Sequence, residues 1–545
     1  MTLETFFEKF DLFTDAPDAV AKMRELVLQL AVQGKLIDQD PADEPANTLL
    51  ERIKGIKDRL ISERAIRQQN TEPLGEDEAP FLIPYSWVWT RLGEIGDWGS
   101  GSTPTRGNHE LYGGGITWLK SGELNDNQAL KGSEETVTEL ALKTCSFRLN
   151  QPGDVLLAMY GATIGKVAIL AEPAATNQAV CGCTPFEGVS NHYLFTFLIS
   201  QRLRFHAAGE GGAQPNISKV KIIGFPFPLP PLAEQKRIVA KVDELMALCD
   251  RLEAQQQERE TRHAELARAS LGRFADAPTP ANLGLLFHKS YSIPPAELRS
   301  SILTLAVQGK LVPQDRNDEP ALALLDRIAA HKAALSREGR LRGSTLVTPM
   351  AADQGDFELP STWKWVRFGD IMVNRDGERI PVSKEERATK AKTYDYYGAS
   401  GVIDKIDNYL FDKPLLLVGE DGANLINRST PIAFIARGKY WVNNHAHVLD
   451  GISEDFLRFM ELHINAIVLE PYITGTAQPK MNQAKMNSIP IALPPLAEQC
   501  RIVAKVDELT ALVDLLETQL ATASTTGSEL VDAVVAELTQ GRVSV

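Results

Sequence analysis

The block LPPLAEQKRIVAKVDELMALCD, from Leu229 to Asp250, returns as LPPLAEQCRIVAKVDELTALVD from Leu493 to Asp514, identical at 19 of 22 positions with an offset of 264. A second pair, AVQGKL at Ala31 and at Ala306, is offset by 275 and runs on into DEPA at Asp43 and Asp318. A third sets PYSWVWTRLGEI from Pro84 against PSTWKWVRFGDI from Pro360. Three signatures in one order make the chain a tandem duplication, which predicts internal two-fold pseudosymmetry. Between the copied blocks, Gly93 to Pro226 and Gly369 to Pro490 do not align. A constant frame with changed contents is the organisation of a two-headed reader.

The frame reads as helical. After Pro230 and Pro231, apolar residues fall at Ile238, Val242, Leu245, Cys249 and Leu252, spacings of 4, 3, 4 and 3 that describe a heptad seam. The twin seam is Ile502, Val506, Leu509, Val513, Leu516 and Leu520. Each is too short for a stand-alone coiled coil, so the stripes are expected to bury against each other or against the amphipathic segments near Met23–Leu30 and Leu298–Leu305. Gly34 and Gly309 each end an apolar run and read as glycine C-caps, with Pro45 and Pro320 expected in the first turn of the next helix. A Gly-Lys pair could bind phosphate, but no strand or glycine-rich loop precedes either copy. Trp87 and Trp89, like Trp363 and Trp365, alternate along a strand and are expected to anchor the start of each variable domain rather than stack on bases.

With 545 residues, 43% apolar and 23% charged, there is room for three or four globular domains. The five cysteines form no zinc-type pairs of doublets, and Cys181 and Cys183 in AVCGC suit a buried strand better than a metal site, in keeping with a reducing cytosol. MTLETFFEKFDLF lacks the features of an export leader, and no run approaches 18 apolar residues, so the chain is expected to be cytoplasmic and free of membrane spans. The net charge of −14 opposes phosphate binding at first sight and would suit a scaffold that binds only protein. Yet Tyr85–Pro228 holds 11 basic and 12 acidic residues and Ser361–Ala492 holds 16 of each, which leaves the acidity on the frame.

Enzyme signatures are missing. No Pro-Pro lies in the [D/N/S]-P-P-aromatic setting of an amino-methyltransferase. GATIGKV, Gly161–Val167, has its first glycine one residue too close to Gly165-Lys166 and a valine where a P-loop needs Ser or Thr; it reads as a tight strand connection. The one acidic-x-Lys triplet, Glu234 to Lys236, has Cys500 at the lysine position of its twin, and His445 and His447 lack a carboxylate at zincin spacing.

LPPLAEQ-x-RIV-x-K-V-x-E-L after each variable segment, AVQGKL before it and the P-x-x-W-x-W-x-x-x-G-[DE]-I opening resemble the specificity subunits of type I restriction-modification systems. GSTP at Gly101, ITWLKSGELN at Ile116 and GDVLLAMYGATIGKVAIL at Gly153 add to the likeness, as do YYGASGVIDKIDNYLF at Tyr396, LLLVGEDGANL at Leu415 and NNHAHVL at Asn443. The resemblance implies an α+β architecture: two α/β target-recognition domains separated by long antiparallel conserved helices, with an internal pseudo-two-fold repeat. Its boundaries would be an N-terminal helical region 1–79, a first target-recognition domain 80–228, a central helical region 229–345, a second target-recognition domain 346–492 and a C-terminal helix 493–545. It further implies a non-catalytic chain that reads an asymmetric bipartite site in double-stranded DNA, one half per domain, while the helices set the unread spacer. An unbroken helix from Leu232 to about Ser270 would be roughly 58 Å long, enough to hold two domains apart. Two modification (methyltransferase) subunits would bring S-adenosylmethionine, and restriction subunits ATP and magnesium. The alternative reading is a self-sufficient DNA-modifying enzyme.

Base edges are read chiefly by Arg, Lys, Asn and Gln, and phosphates by basic and loop residues. On that basis the first-domain candidates are Thr103, Arg106, Lys120, Ser121, Glu123, Tyr160, Lys166 and Asn216. Those of the second are Arg375, Arg379, Tyr397, Ser400, Asn443, His445, Lys480 and Asn482. Each is weighed against an ordinary solvated loop or turn cap.

Overall fold

The computed structural model describes residues 16, 18–69, 71–75, 78–210, 215–277, 279–286, 288, 291–339, 346–351, 357–475 and 478–540. The leader reading of the first thirteen residues lies outside them. The chain divides into two compact units, one of Met1–Glu258 with Ala523–Val545 and one of Arg259–Thr522.

The first unit contains the frame helices α1 (Ala19–Val32) and α2 (Ala46–Ser62), the variable-segment helix α3 (Asn191–Ser200) and the start of α4 (Leu232–Asp276). In the second, α5 (Pro295–Val307), α6 (Ala321–Arg337), α7 (Glu454–Ala466) and the start of α8 (Leu496–Gln540) take the same places. Both α4 and α8 run 45 residues, about 67 Å at 1.5 Å per residue, and so exceed the expected length. Residues 523–540 of α8 belong to the first unit, where Val531 and Val534 join its core and Lys22 pairs with Asp532 at 2.5 Å.

Of the two partners expected for the seams, the short amphipathic helices are the ones found in each unit. Cys249 of α4 meets Met23 of α1 at 3.2 Å, and Arg24 bridges to Asp250 and Glu253; in the second unit Arg299 of α5 bridges to Asp514 and Glu517. The second seam is shorter than its spacing predicts. Ile502, Val506, Leu509 and Val513 are buried, but Leu520 is 40% exposed.

The three copied signatures converge on one junction in each unit. Gly34 (φ 69°) and Gly309 (φ 71°) adopt the left-handed C-cap conformation. A Cβ there would lie 2.5 Å from Pro84 or 2.7 Å from Pro360, and 3.1 Å from Trp87 or Trp363. The Trp363 indole donates to Glu498 at 2.9 Å, and Gln314 donates to the same carboxylate at 2.5 Å. In the other copy Gln39 donates to Glu234 at 2.7 Å, while the Trp87 indole faces that carboxylate without reaching hydrogen-bond geometry. Burial pushes both carboxyls up from the usual range. The DEPA aspartates Asp43 and Asp318 close the junction on Arg237 and Arg501 at 2.6 and 2.5 Å. Pro45 and Pro320 sit one residue earlier than expected, at the N-caps of α2 and α6, where extended ψ values of 141° and 152° turn the chain into the helix.

The variable segments hang from this junction on paired strands. β1 (Val88–Arg91) runs antiparallel to β10 (Pro226–Leu229), with Val88 opposite Leu229; β11 (Lys364–Arg367) pairs with β20 (Pro490–Leu493) in the same register. The chain therefore enters and leaves each variable segment at one place, so unlike contents can be carried without disturbing the frame. A buried lysine from each frame bolts the ribbon down: Lys57 donates to the Gly93 carbonyl at 3.2 Å and Glu94 at 2.9 Å, and Lys332 to the Asp370 carbonyl at 2.8 Å. Trp87, Trp363 and Trp365 are buried and Trp89 packs tilted against Phe81 with ring centroids 4.9 Å apart, the anchoring role their alternation predicts.

Candidate nucleic-acid interface

The first variable segment folds around a five-stranded sheet ordered β2 (Gly96–Ser100), β9 (Val180–Pro185), β6 (Val155–Ala158), β7 (Val167–Leu170), β4 (Asn127–Leu130). Cys181 and Cys183 are buried in β9, as a strand reading of AVCGC requires. Beside the sheet, β3 (Tyr112–Leu119) pairs with β5 (Thr136–Val137) and β8 (Ala175–Thr176). Register places Ser100 opposite Cys181, Ala158 opposite Val180 and Leu157 opposite Val167. Hence the loops after β2, after β3, between β6 and β7 and before β9 all emerge at one end of the sheet. They carry Thr103, Arg106, Lys120, Ser121, Glu123, Tyr160 and Lys166, and Asn216 joins them through a backbone bridge to Tyr160. GATIGKV is the β6–β7 connection, as expected.

Not all eight side chains are equally available. Glu123 accepts from the Lys120 backbone N–H and the Ser133 hydroxyl, both at 2.7 Å, and so closes its own turn. Arg106 and Lys120 share Glu135 at 2.6 and 2.8 Å, and their hydrogen bonds hold that carboxyl below the ordinary glutamate range. Exposed pairs of this kind exchange partners readily. The Lys166 ammonium donates to Asn125 at 2.9 Å and the Thr103 hydroxyl bonds Gln178. Gln178 and Asn125 are exposed amides at the same end that residue choice missed; only the strand register brings them there.

The second segment repeats the plan with other residues. One sheet runs β12 (Val373–Asn374), β19 (Ala446–Asp450), β16 (Leu415–Gly419), β17 (Ala433–Ala436). Another runs β14 (Gly401–Ile406), β13 (Tyr394–Gly398), β18 (Lys439–Val442), β15 (Phe411–Asp412). Gly419 opposite Ala446, Asn374 opposite Leu449 and Tyr397 beside Val442 again gather the candidate loops at one end.

Here several candidates are committed to the fold. Arg375 chelates Glu378 at 2.7 and 2.8 Å and lies over Phe411. Arg379 is only 14% exposed and bonds Glu420 at 2.9 Å and the Ala446 carbonyl at 2.7 Å. Tyr397 packs between Phe434 and Tyr440, Asn443 is buried and accepts from the His445 N–H, and Asn482 caps a short helix by accepting from the Lys485 N–H at 3.0 Å. Ser400 at a hairpin tip, His445 beside Asp421 and Lys480 beside Glu420 remain exposed.

Beneath these loops His447 is buried with Nδ1 2.6 Å from Asp376 and Nε2 2.9 Å from the Met481 carbonyl. Both ring nitrogens face acceptors, an arrangement that favours the protonated ring. Burial opposes the charge, but the Asp376 hydrogen bond, the Met481 carbonyl and Glu420 outweigh it and raise the pKa. Among the described residues no cluster of His, Cys, Asp or Glu could hold a metal ion, and no helix is long and apolar enough to cross a membrane.

Two unlike β-domains, each presenting a polar loop cluster from one end of its sheet and each clipped into a helical junction of like design in its own unit, define a tandem recognition subunit. The model of the type I restriction modification DNA specificity domain matches residues 84–260 and 360–523, more than half of the chain, and the protein belongs to that family. It is 29% identical to the type I restriction enzyme EcoEI specificity subunit of Escherichia coli and 28% identical to the EcoAI specificity subunit of the same organism, each alignment covering 96% of this chain and 94% of the relative. Among solved structures, the HsdS subunit from Thermoanaerobacter tengcongensis matches 85% of this chain and 99% of its own at 18% identity and a TM-score of 0.41. The chain is thus a specificity subunit with two recognition domains, the non-catalytic part of a type I restriction-modification complex.

Proposed function

We propose that each loop cluster reads one half of an asymmetric bipartite site in double-stranded DNA, that α4 and α8 fix the unread spacer, and that two methyltransferase subunits dock on the frame. The observation that carries the reading is the pair of closed ribbons, β1 with β10 and β11 with β20, which let dissimilar heads hang from junctions of one design. The repeated arginine-carboxylate contacts of Arg24 and Arg299 give the two frame faces like chemistry, which supports two like partners. Those partners would bring S-adenosylmethionine, and restriction subunits ATP and magnesium; this chain itself binds no cofactor and works in the cytoplasm. Replacing residues 93–226 with the matching segment of a relative should change one half-site only, as read by sequencing methylated adenines in cells that carry the complex. A change in both halves would refute separate reading.

A further inference from the structure

The two heads share a backbone bracket at the tip of the loop cluster. In the first, Asn216 exchanges two backbone hydrogen bonds of 2.8 Å with Glu210, Gly161 donates to the Pro215 carbonyl at 2.8 Å and Ile217 donates to Met159 at 2.9 Å. In the second, Lys480 exchanges two of 2.8 Å with Thr474, Gly422 donates to Pro479 at 3.0 Å and Met481 donates to Glu420 at 2.8 Å. The bracketed residue follows the same tripeptide, Ala213-Gln214-Pro215 in one copy and Ala477-Gln478-Pro479 in the other, at the 264 offset of the LPPLAEQ block. The glycine facing it has positive φ in both, 60° at Gly161 and 108° at Gly422. None of these bonds involves a side chain, so the bracket holds its central residue whatever that residue is.

We propose that Asn216 and Lys480 occupy equivalent specificity sockets, one per head, in which the exposed side chain decides which base pair is accepted at one position of its half-site. The inference rests on the reading of both heads as DNA-reading domains. The chemistry assigns the preference. The Asn216 amide offers the adjacent donor and acceptor that match adenine N6 and N7, and the Lys480 ammonium offers donors for guanine O6 and N7. Asn216 is exposed and its side chain makes no hydrogen bond among the described residues, and the Lys480 side chain, 52% exposed, is held at the rim by Glu420 at 3.2 Å. The backbone cost of exchange is small, since no bracket bond is lost.

The test is selection of randomised duplex DNA by the full chain co-purified with its methyltransferase, as wild type, Asn216→Lys and Lys480→Asn. Asn216→Lys should move one base pair of one half-site from A toward G by about tenfold or more, and Lys480→Asn should make the reverse change in the other half only. Unaltered motifs in both variants, or shifts spread over both halves, would overturn the sockets while leaving a bipartite wild-type motif intact. A wild type that selects no bipartite motif would overturn DNA reading and the sockets with it. Should an exchange variant fail to fold by circular dichroism, Asn216→Ala and Lys480→Ala decide the matter, since each must relax preference at that one base pair alone.

Discussion

Replacing Trp363 with alanine is expected to destabilise the second unit by about 3–5 kcal/mol, the usual cost of emptying a buried tryptophan site. Trp363 is 2% exposed, touches Gly309 and Phe459, and supplies a donor to Glu498 inside the junction where all three repeated signatures meet. Its loss leaves both a cavity and a buried carboxyl with one donor fewer. Hydrogen exchange read by mass spectrometry should show lost protection in peptides from α5, α6 and the first turns of α8, with α1 and α2 unchanged. Trp363→Phe should fall between, because it keeps most of the volume and loses the indole N–H. A destabilisation below about 1 kcal/mol in Trp363→Ala would mean that the junction is not the keystone of the unit.

The second large effect is on acid stability. His463 is 1% exposed, its Nε2 accepts from the Ala492 N–H at 3.1 Å, and burial pushes its pKa down to about 3. The unfolded chain has its histidines near 6.5, so below that pH the unfolded state binds a proton the folded state refuses. Stability of the second unit should therefore fall by about 1.4 kcal/mol per pH unit below 6.5, or roughly 2 kcal/mol by pH 5. His447 works on the other side: its raised pKa gives stability that is full below 6.5 and is lost as pH rises through the folded value. Denaturant unfolding followed at the tryptophans between pH 5 and 8 should show the acid limb flattened in His463→Gln, which can still accept from Ala492. An unchanged acid limb would rule out His463 as its source.

The sequence made the frame legible because copying exposes it: Gly34, Trp87 and Glu234 each have a numbered twin, and the junction is where their partners meet. The seams were legible as helical stripes and their short helical partners as one of two options; periodicity alone does not choose between them, since the deciding contact joins Met23 and Cys249, 226 residues apart. The heads were harder to read. Residue type cannot separate an arginine available to DNA from one such as Arg375, whose Asp450 lies 75 residues away and whose aromatic neighbour Phe411 is on another strand. Asn216 and Lys480 were legible as candidates from residue type, but not their equivalence, because only Ala-Gln-Pro is shared before them and a three-residue match gains meaning only when like backbone bonds surround it.

The division of the last helix bears on how the protein is made. The first unit is missing Val531 and Val534 until residues 523–540 of α8 are joined to it. On the ribosome it must wait while the whole second unit is synthesised, roughly 15–60 s at ordinary elongation rates. A nascent or truncated chain ending before Ala523 leaves the first unit's apolar core without those two valines. Damage at the C-terminus is therefore felt first in the domain nearest the N-terminus, and a message cut short yields a protein whose earliest part is the one left unfinished.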